Sequence, residues 1–537
     1  MKKATWLRFV VIMTALVLLL SACGTSPSPA ASTATAVPAD KPADTTVDST
    51  DETSEEPDAN EVAEFSVAVR RGHLESGSVV QNYFEDKFNV KINMVIVPDT
   101  SDAQAKVNLL MADASQRPDV IWFQTGWTKE YTQWRDAGLL VDVSEYYWRY
   151  PNIREYYDKV SPDSMFYAAE PDGSLYAIPG DVGEPGHMTT LIRKDWLEYA
   201  GLAIPTTFDE YVAALREMSK NNPLGTNAAF GFAGSPLEFR SMKPFYTQFN
   251  VIPDQFYSLD DGTVVYGAIQ PEMKDALALL RDLYSEGVID PNMLLKDFNF
   301  TESFTAGTFG STYRWIAWMN PEDNSVKSFK ENNPDGEYIS LEPFANPQGN
   351  QSDNSISPQA WCAFAITDQA ENPERIYAFF DSLIAPEEYL IRVFGFEGEQ
   401  YTRENGLFKP IENQPENIGT GLFDTFVNRK DEYNIRNTPE VAAMFARGTE
   451  LVQPDLNRIC YVKSPDRPVW NEYKTEIERI RDEYIWGIIA GQRPLEDFDA
   501  FVDLFYAQGG AEVLAETAAI MEQQVTDYAN FKANFKP

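Results

Sequence analysis

From residue 65 onward, short apolar runs with strand spacing alternate with stretches of helical spacing. Phe65-Ser-Val-Ala-Val69 alternates apolar and polar positions and runs into Arg70, Arg71 and Gly72, the pattern of a strand ending in a polar loop. Gly77 to Phe88 has helical spacing, Val90 to Val97 is a second strand stopped by Pro98, and Thr100 to Ala112 is a second helix. Pro118-Asp-Val-Ile-Trp122 follows as a third strand, and Trp127 to Ala137 as a helix closed by Gly138. This β-α-β-α-β-α order predicts an α/β body with a mainly parallel sheet and helices on both faces. Ligands of such sheets bind beyond the carboxyl ends of strands. Those ends carry Arg70-Arg71-Gly72-His73 and Phe123-Gln124-Thr125-Gly126-Trp127, loops rich in donors and aromatic faces.

Further along, Leu175 to Pro179 reads as a short strand, and Gly180-Asp181 has freedom to bend. Leu191 to Trp196 starts a new helix broken at Gly201, and Asp209 to Met218 forms another with a capping hydroxyl before it. Pro271 to Ser285 is helical, with Met273, Ala276, Leu277, Leu280 and Leu283 on one side. Ser357 to Ile366 reads as a strand, Pro373 to Leu383 as a helix, and the chain is strongly helical from about Asn471 onward, with no internal repeat.

The first sixty residues follow a different pattern. Lys2, Lys3 and Arg8 flank Phe9 to Leu20, an apolar run too short for a spanning helix, which ends in Leu20-Ser21-Ala22-Cys23. This reads as a bacterial lipoprotein signal peptide over 1–22, cut before Cys23, whose thiol carries the lipid. An ordinary secretory signal or a buried apolar helix is the alternative. Gly24 to Asn60 is almost entirely Ser, Thr, Ala, Pro, Asp and Glu, and buries too little apolar surface to offset its ordering entropy. Residues 23–61 are therefore expected to form a disordered tether between a lipid on the outer face of the cytoplasmic membrane and a folded body.

The 537-residue chain carries a net charge of −38, which argues against nucleic acid as a partner and against direct docking on an anionic bilayer. About 475 residues follow the tether, more than one compact domain usually holds. Apart from Cys23, the cysteines are Cys362 and Cys460, either one disulfide or two buried apolar residues. His73 and His187 are the only histidines, so HExxH zinc chemistry is excluded and a Ser-His-Asp triad has little support. There is no GxSxG elbow, no Walker A loop, and no GxGxxG after the first strand. A glycosidase needs only two carboxylates, and it remains the main enzymatic alternative.

Several segments in order resemble the family-1 extracellular solute-binding lipoproteins of ABC importers, in the long-chain Gram-positive-type branch similar to alginate-oligosaccharide binders. The hallmark is Ile192-Arg-Lys-Asp-Trp-Leu-Glu-Tyr-Ala-Gly-Leu-Ala-Ile-Pro-Thr-Thr-Phe-Asp-Glu-Tyr211. With it come Pro118-Asp-Val-Ile-Trp122, Tyr176-Ala-Ile-Pro179, Phe394-Gly-Phe-Glu-Gly-Glu-Gln-Tyr401 and Ile489-Ala-Gly-Gln-Arg-Pro-Leu-Glu-Asp-Phe498. The resemblance implies a two-lobe periplasmic-binding-protein-like α/β fold with a hinge. Residues 62–180 and 355–390 would form lobe 1, and 181–354 and 391–537 lobe 2. It implies a non-enzymatic, monomeric protein that captures a carbohydrate, most simply an oligosaccharide, between the lobes and delivers it to permease subunits. A sensor feeding a neighbouring kinase is a further reading. Relatives often carry a calcium loop where this chain reads Asn221-Asn222-Pro223-Leu224-Gly225-Thr226-Asn227, without acidic ligands, so neither metal nor cofactor is expected.

By analogy, Trp315 after Gly307-Thr-Phe-Gly310, Trp361 on the returning strand, and Glu397 and Tyr401 in the FGFEGEQY motif are candidate ligand contacts. Arg70, His73, Gln124 and Trp127 join them from the strand-end loops, and Asp181 from the first crossing. Aromatic faces pack on the C–H faces of sugars, and charged or amide groups bind the hydroxyls. Trp318, Trp122 and Trp134 are expected in the core.

Overall fold

The computed structural model describes residues 61–536 apart from 71–76, 99–101, 161–163, 181–187, 226–228, 350–359, 415–416, most of 428–462, 464–465, and the single positions 260 and 322. The signal peptide, Cys23, the tether, His73, Asp181, His187 and Cys460 lie outside the described residues.

Strand β1 (Ala63–Arg70), the helix Val79–Phe88, β2 (Val90–Val97), the helix Ala103–Ala112 and β3 (Val120–Gln124) open the body. Ser78 caps the first helix by accepting from the Gln81 N–H, and Asn89 ends it in the left-handed region. β4 (Ile178–Pro179) follows, then β5 (Met188–Arg193) and β6 (Phe230–Phe232). A hairpin of β7 (Phe256–Ser258) and β8 (Val264–Tyr266) precedes β9 (Phe309–Trp315), β10 (Tyr338–Leu341) and β11 (Cys362–Ile366). A last hairpin pairs β12 (Tyr401–Glu404) with β13 (Leu407–Pro410).

Two larger sheets result. The first has the order β2-β1-β3-β11-β4, and the second β10-β5-β9-β6. β1 runs parallel to β2 and β3, as the opening pattern requires, while β11 returns antiparallel between β3 and β4. In the second sheet β6 and β9 are parallel, and β5 is antiparallel to both β9 and β10. All five residues of β11 and the first four of β3 are buried, so these central strands are apolar on both faces. Leu191 to Arg193, expected to begin a helix, form the end of β5, and the helix runs over Lys194–Ala200. Helix Phe208–Met218 starts with a reciprocal capping box between Thr207 and Glu210.

Each sheet has its own core. Val67, Trp122, Phe364 and Phe380 belong to the first, and Trp196, Tyr211, Leu280 and Ile485 to the second. The segment beyond residue 391, expected with the second lobe, divides differently. Leu422, Phe423, Phe426 and Val427 pack in the first core, held by the buried Arg392, whose guanidinium donates to the carbonyls of Leu422, Phe423 and Val427. The C-terminal helix Ala511–Asn534 begins in the second core with Val513 and ends in the first with Phe531. Its Tyr528 ring lies 5.1 Å from Phe166, and Phe535 beyond it lies 4.9 Å from Trp148. No helix among the described residues is long and apolar enough to cross a membrane.

Candidate functional site

The carboxyl end of the first sheet gathers several of the expected residues. Arg70 ends β1, Gln124 ends β3, Gly180 follows β4, and Trp361 directly precedes β11. The Arg70 guanidinium lies 5.4 Å from the Trp361 ring and 5.7 Å from that of Trp122. Trp122 in turn meets Trp127 at 5.7 Å and Trp361 at 6.0 Å, both edge to face. Trp122 is fully buried, whereas Trp361 is 38% exposed, so an indole is offered at the rim on a rigid base. The Thr125 N–H and hydroxyl donate to the carbonyls of Trp361 and Ala360, fixing the two loops to each other. Gln124 is half-buried, and its side chain has no hydrogen-bond partner among the described residues.

The second sheet presents a corresponding end. Trp315 closes β9 opposite Met188, the first residue of β5, with the Arg240 guanidinium 5.4 Å from its ring. Only residues 181–187 separate Gly180 from Met188, so the two sheet ends lie within about 30 Å of each other. Arg240 pairs with Glu238 at 2.5 Å. Burial raises the Glu238 carboxyl, but Arg240 and the Ser241 hydroxyl outweigh it and hold the group below its ordinary range. Arg314 sits between Phe300 and Trp318 at 4.6 and 4.7 Å and donates to the Ser235 hydroxyl at 2.6 Å. Trp318 also packs 4.6 Å from Phe304.

The FGFEGEQY residues are placed differently. Tyr401 is 2% exposed and packs on Phe394 and Phe408, which commits its ring to local packing rather than to an open surface. Glu397 is exposed and pairs with Arg403 at 3.2 Å.

A recess of about 280 Å³ opens beside the first sheet's end, and sequence reading did not single out the groups that charge it. Thr125, Gly126, Pro179 and Ala360 line one side, and Lys463, Arg467, Trp470 and Lys474 the other. Arg467, Trp470 and Lys474 stand at the start of the helix Pro468–Ile489, where spacings of three, four and seven put them on one face. That helical cation-and-aromatic stripe was the available signal. Lys463 donates to the carbonyls of Phe166 and Ala169, with its nitrogen 4.4 Å from the Phe166 ring. Burial pulls its ammonium down to about 8. Arg467 donates to the Thr517 hydroxyl and faces Glu516, which also accepts from the Val469 and Trp470 N–H groups. Glu170, the acid in the lining, is paired with Arg135 at 2.7 Å and accepts from the Tyr131 hydroxyl.

After helix Phe208–Met218 the turn is closed by an amide. Asn222 donates to the Met218 carbonyl and accepts from the Leu224 N–H. Among the described residues no group of three or more His, Cys, Asp or Glu side chains is arranged to hold a metal ion.

Two α/β bodies, each with a sheet end that carries aromatic and cationic groups, are the architecture of a two-lobe solute-binding protein. The chain belongs to the bacterial extracellular solute-binding protein family, whose sequence model matches residues 71–389. It is 23% identical over 326 residues to the fructooligosaccharide ABC transporter substrate-binding protein FusA of Streptococcus pneumoniae, a match spanning 58% of each chain. It is 22% identical over 457 residues to the polygalacturonan/rhamnogalacturonan-binding protein YtcQ of Bacillus subtilis, covering 81% of this chain and 86% of that one. Among solved structures, alginate-binding protein AlgQ2, crystallised without calcium ion, superposes with a TM-score of 0.66 at 20% identity, covering 86% of this chain and 98% of that one. An EF-hand mutant of S. pneumoniae FusA in complex with fructo-nystose gives the same TM-score at 19% identity, covering 87% and 100%. At these identities the superpositions establish the two-lobe fold.

Proposed function

We propose that the chain is a lipid-anchored capture protein that binds an oligosaccharide between its lobes and hands it to the membrane subunits of an ABC importer. The observation that carries this reading is the rim of the first sheet, where the half-exposed Trp361 rests on Trp122 and Arg70. A flat indole face beside a guanidinium matches the two surfaces of a sugar, C–H groups on the ring face and hydroxyls at its edge. Trp315 with Arg240 supplies the same pairing from the second sheet. The relatives' own ligands, a fructooligosaccharide, a polygalacturonan and alginate, support a carbohydrate.

In this reading lobe 1 comprises 62–180, 360–427 and the end of the C-terminal helix, and lobe 2 the intervening residues with the helix Pro468–Ile489. Sugar stacked on Trp361 and bonded by Arg70 and Gln124 draws the Trp315 end across, and closure buries it. Cys23 holds the protein at the outer face of the cytoplasmic membrane, and 24–61 gives it reach. The protein acts as a monomer and does no chemistry on the sugar.

A thermal-shift screen against neutral and acidic oligosaccharides, with reducing ends assayed in the same wells, tests the reading. Binding to the folded state alone adds roughly 2.7 kcal/mol of stability at a hundred times the dissociation constant. A raised melting temperature with the sugar intact is expected. Cleavage would make the protein a hydrolase, and a flat response to every saccharide would sink the proposal.

A further inference from the structure

The second sheet's end holds a carboxylate whose oxygens the fold leaves unspent. Asp254 stands, exposed, on the turn that Gln255 closes onto the Ile252 carbonyl just before β7. Among the described residues its carboxylate makes no ion pair, and its one hydrogen bond is to its own backbone N–H. Burial nonetheless raises it above its ordinary range, against the pull of Arg481, Lys243 and Arg240. A residue that water reaches, yet with enough protein around it to desolvate its charge, looks out from the floor of a concavity.

The three cations act on Asp254 without bonding to it. Arg240 donates twice to Glu238, and Arg481 donates to Asp482 at 2.7 Å and to the Tyr266 hydroxyl at 3.0 Å. Two buried polar atoms beside Asp254, the Tyr246 hydroxyl and the Gln255 side-chain oxygen, have no hydrogen-bond partner among the described residues. The charge of Asp254 is felt at Tyr246. Buried polar atoms are ordinarily bonded, so a corner that keeps three such groups together is built for a polar guest.

Its surroundings say which guest. Arg240 lies 5.4 Å from the Trp315 ring, and Phe256, next but one to Asp254, lies 5.1 Å from Trp470. The carboxylate is therefore set among indoles that can stack a sugar. Here the acceptor is unspent and the neighbouring arginines are engaged, so the guest has to bring the donors. Sugar hydroxyls do so, whereas the carboxylate of a uronate brings a like charge.

We propose that Asp254 is the specificity-determining residue of the second lobe, accepting the hydroxyl hydrogens of an uncharged sugar unit stacked on Trp315 and disfavouring a uronate there. The inference rests on the capture reading above and selects among its ligands. It sets this chain apart from its polygalacturonan-binding and alginate-binding relatives.

The test uses the full chain in titration calorimetry. The probes are nystose, maltotetraose and xylotetraose, with trigalacturonate and an alginate trisaccharide each set beside its carboxyl-reduced form. A neutral probe is expected to bind, and Asp254→Asn, which keeps the shape, to weaken it about ten- to a hundredfold, the range of a charged hydrogen bond. The free variant should melt no lower than its parent, because it loses a desolvated charge. Lowering the pH from neutral should weaken binding by the parent and leave Asp254→Asn unaffected. Around Asp254, arginine and lysine are cations throughout that range, burial keeps Tyr246 and Tyr266 protonated, and Glu238 stays ionised because Arg240 outweighs its burial. Undiminished affinity in Asp254→Asn, or a uronate that binds as tightly as its carboxyl-reduced form, would overturn the inference and leave the capture reading intact. Failure of every saccharide to bind would remove both.

Discussion

Gly180 and Cys362 touch so closely that no other side chain fits between them. A Cβ on Gly180 would lie 2.7 Å from the Cys362 sulfur and 2.7 Å from the Thr425 carbonyl oxygen. The Gly180 N–H donates to the Cys362 carbonyl at 2.9 Å, and the Cys362 thiol donates to the Thr425 carbonyl at 3.0 Å. The three residues stand where the chain leaves the first sheet, where it returns to it, and near where it departs again. All three crossings are thus rooted in one packed node.

Gly180→Ala should therefore cost about 1–3 kcal/mol, the usual range for overpacking a dense site. Cys362→Ala added to it should recover only part of that, since the Thr425 carbonyl still obstructs the methyl group. Thermal melts of the two variants check this, and a Gly180→Ala protein as stable as its parent would contradict it.

Trp361 offers one indole face to solvent, so Trp361→Ala should spare the fold and weaken the ligand. Stacking a sugar on that face covers roughly 80 Å² of apolar surface, worth about 2 kcal/mol. A loss of about thirtyfold in affinity is expected with little change in the melting temperature of the free protein. Unchanged affinity would place the ligand elsewhere.

How much of this was legible beforehand depends on sequence distance. The opening strands and helices were readable because their apolar spacing and caps are local, as at Ser78 and Asn89. Leu191 to Arg193 misled because Leu, Ile and Arg suit a helix equally well. The pairing of Leu191 and Ile192 with Thr312 and Ser311 of β9, and of Arg193 with Tyr338 of β10, decides for a strand, and those partners lie some 120–145 residues away. The rim was foreseeable in part, since Arg70 and Gln124 end strands, and Trp127 precedes a helix, that the pattern itself revealed. The cationic recess was not, because Lys463 and Lys474 meet Thr125 only through the fold. Tyr401 shows the converse, a motif residue whose ring the β12–β13 hairpin keeps for itself.

Lys463 gives the protein a pH signature. Burial lowers its folded-state value to about 8 from 10.5. Between those values the unfolded chain holds a proton that the folded chain does not, so this group makes the fold more stable as pH rises across that window. Below pH 8 both states are protonated and its contribution is constant. The melting temperature of Lys463→Met relative to the parent should accordingly fall from pH 8 to pH 10.5. A difference that stays flat over that range would show that Lys463 is not titrating there.

The tether makes a separate prediction. Cys23→Ala should abolish incorporation of labelled palmitate and move the protein from the membrane fraction to the medium. Purified protein should keep its ligand affinity, because the body from residue 61 onward is far from the change in sequence. Label retained in Cys23→Ala would place the lipid on another residue or remove the anchor reading.

The C-terminal helix carries a consequence for biosynthesis. Phe531 packs in a core whose first strand is Ala63–Arg70, so that core stays incomplete until the last residues have emerged. At roughly 5–20 residues per second, the stretch from β4 to Tyr528 takes on the order of 20–70 s to make. For that interval the first core lacks the rings of Tyr528 and Phe531 that pack on Phe166. A ribosome that stalls, or a protease that clips the final ten residues, leaves a chain that has nearly all of its sequence and cannot finish the lobe that it started first.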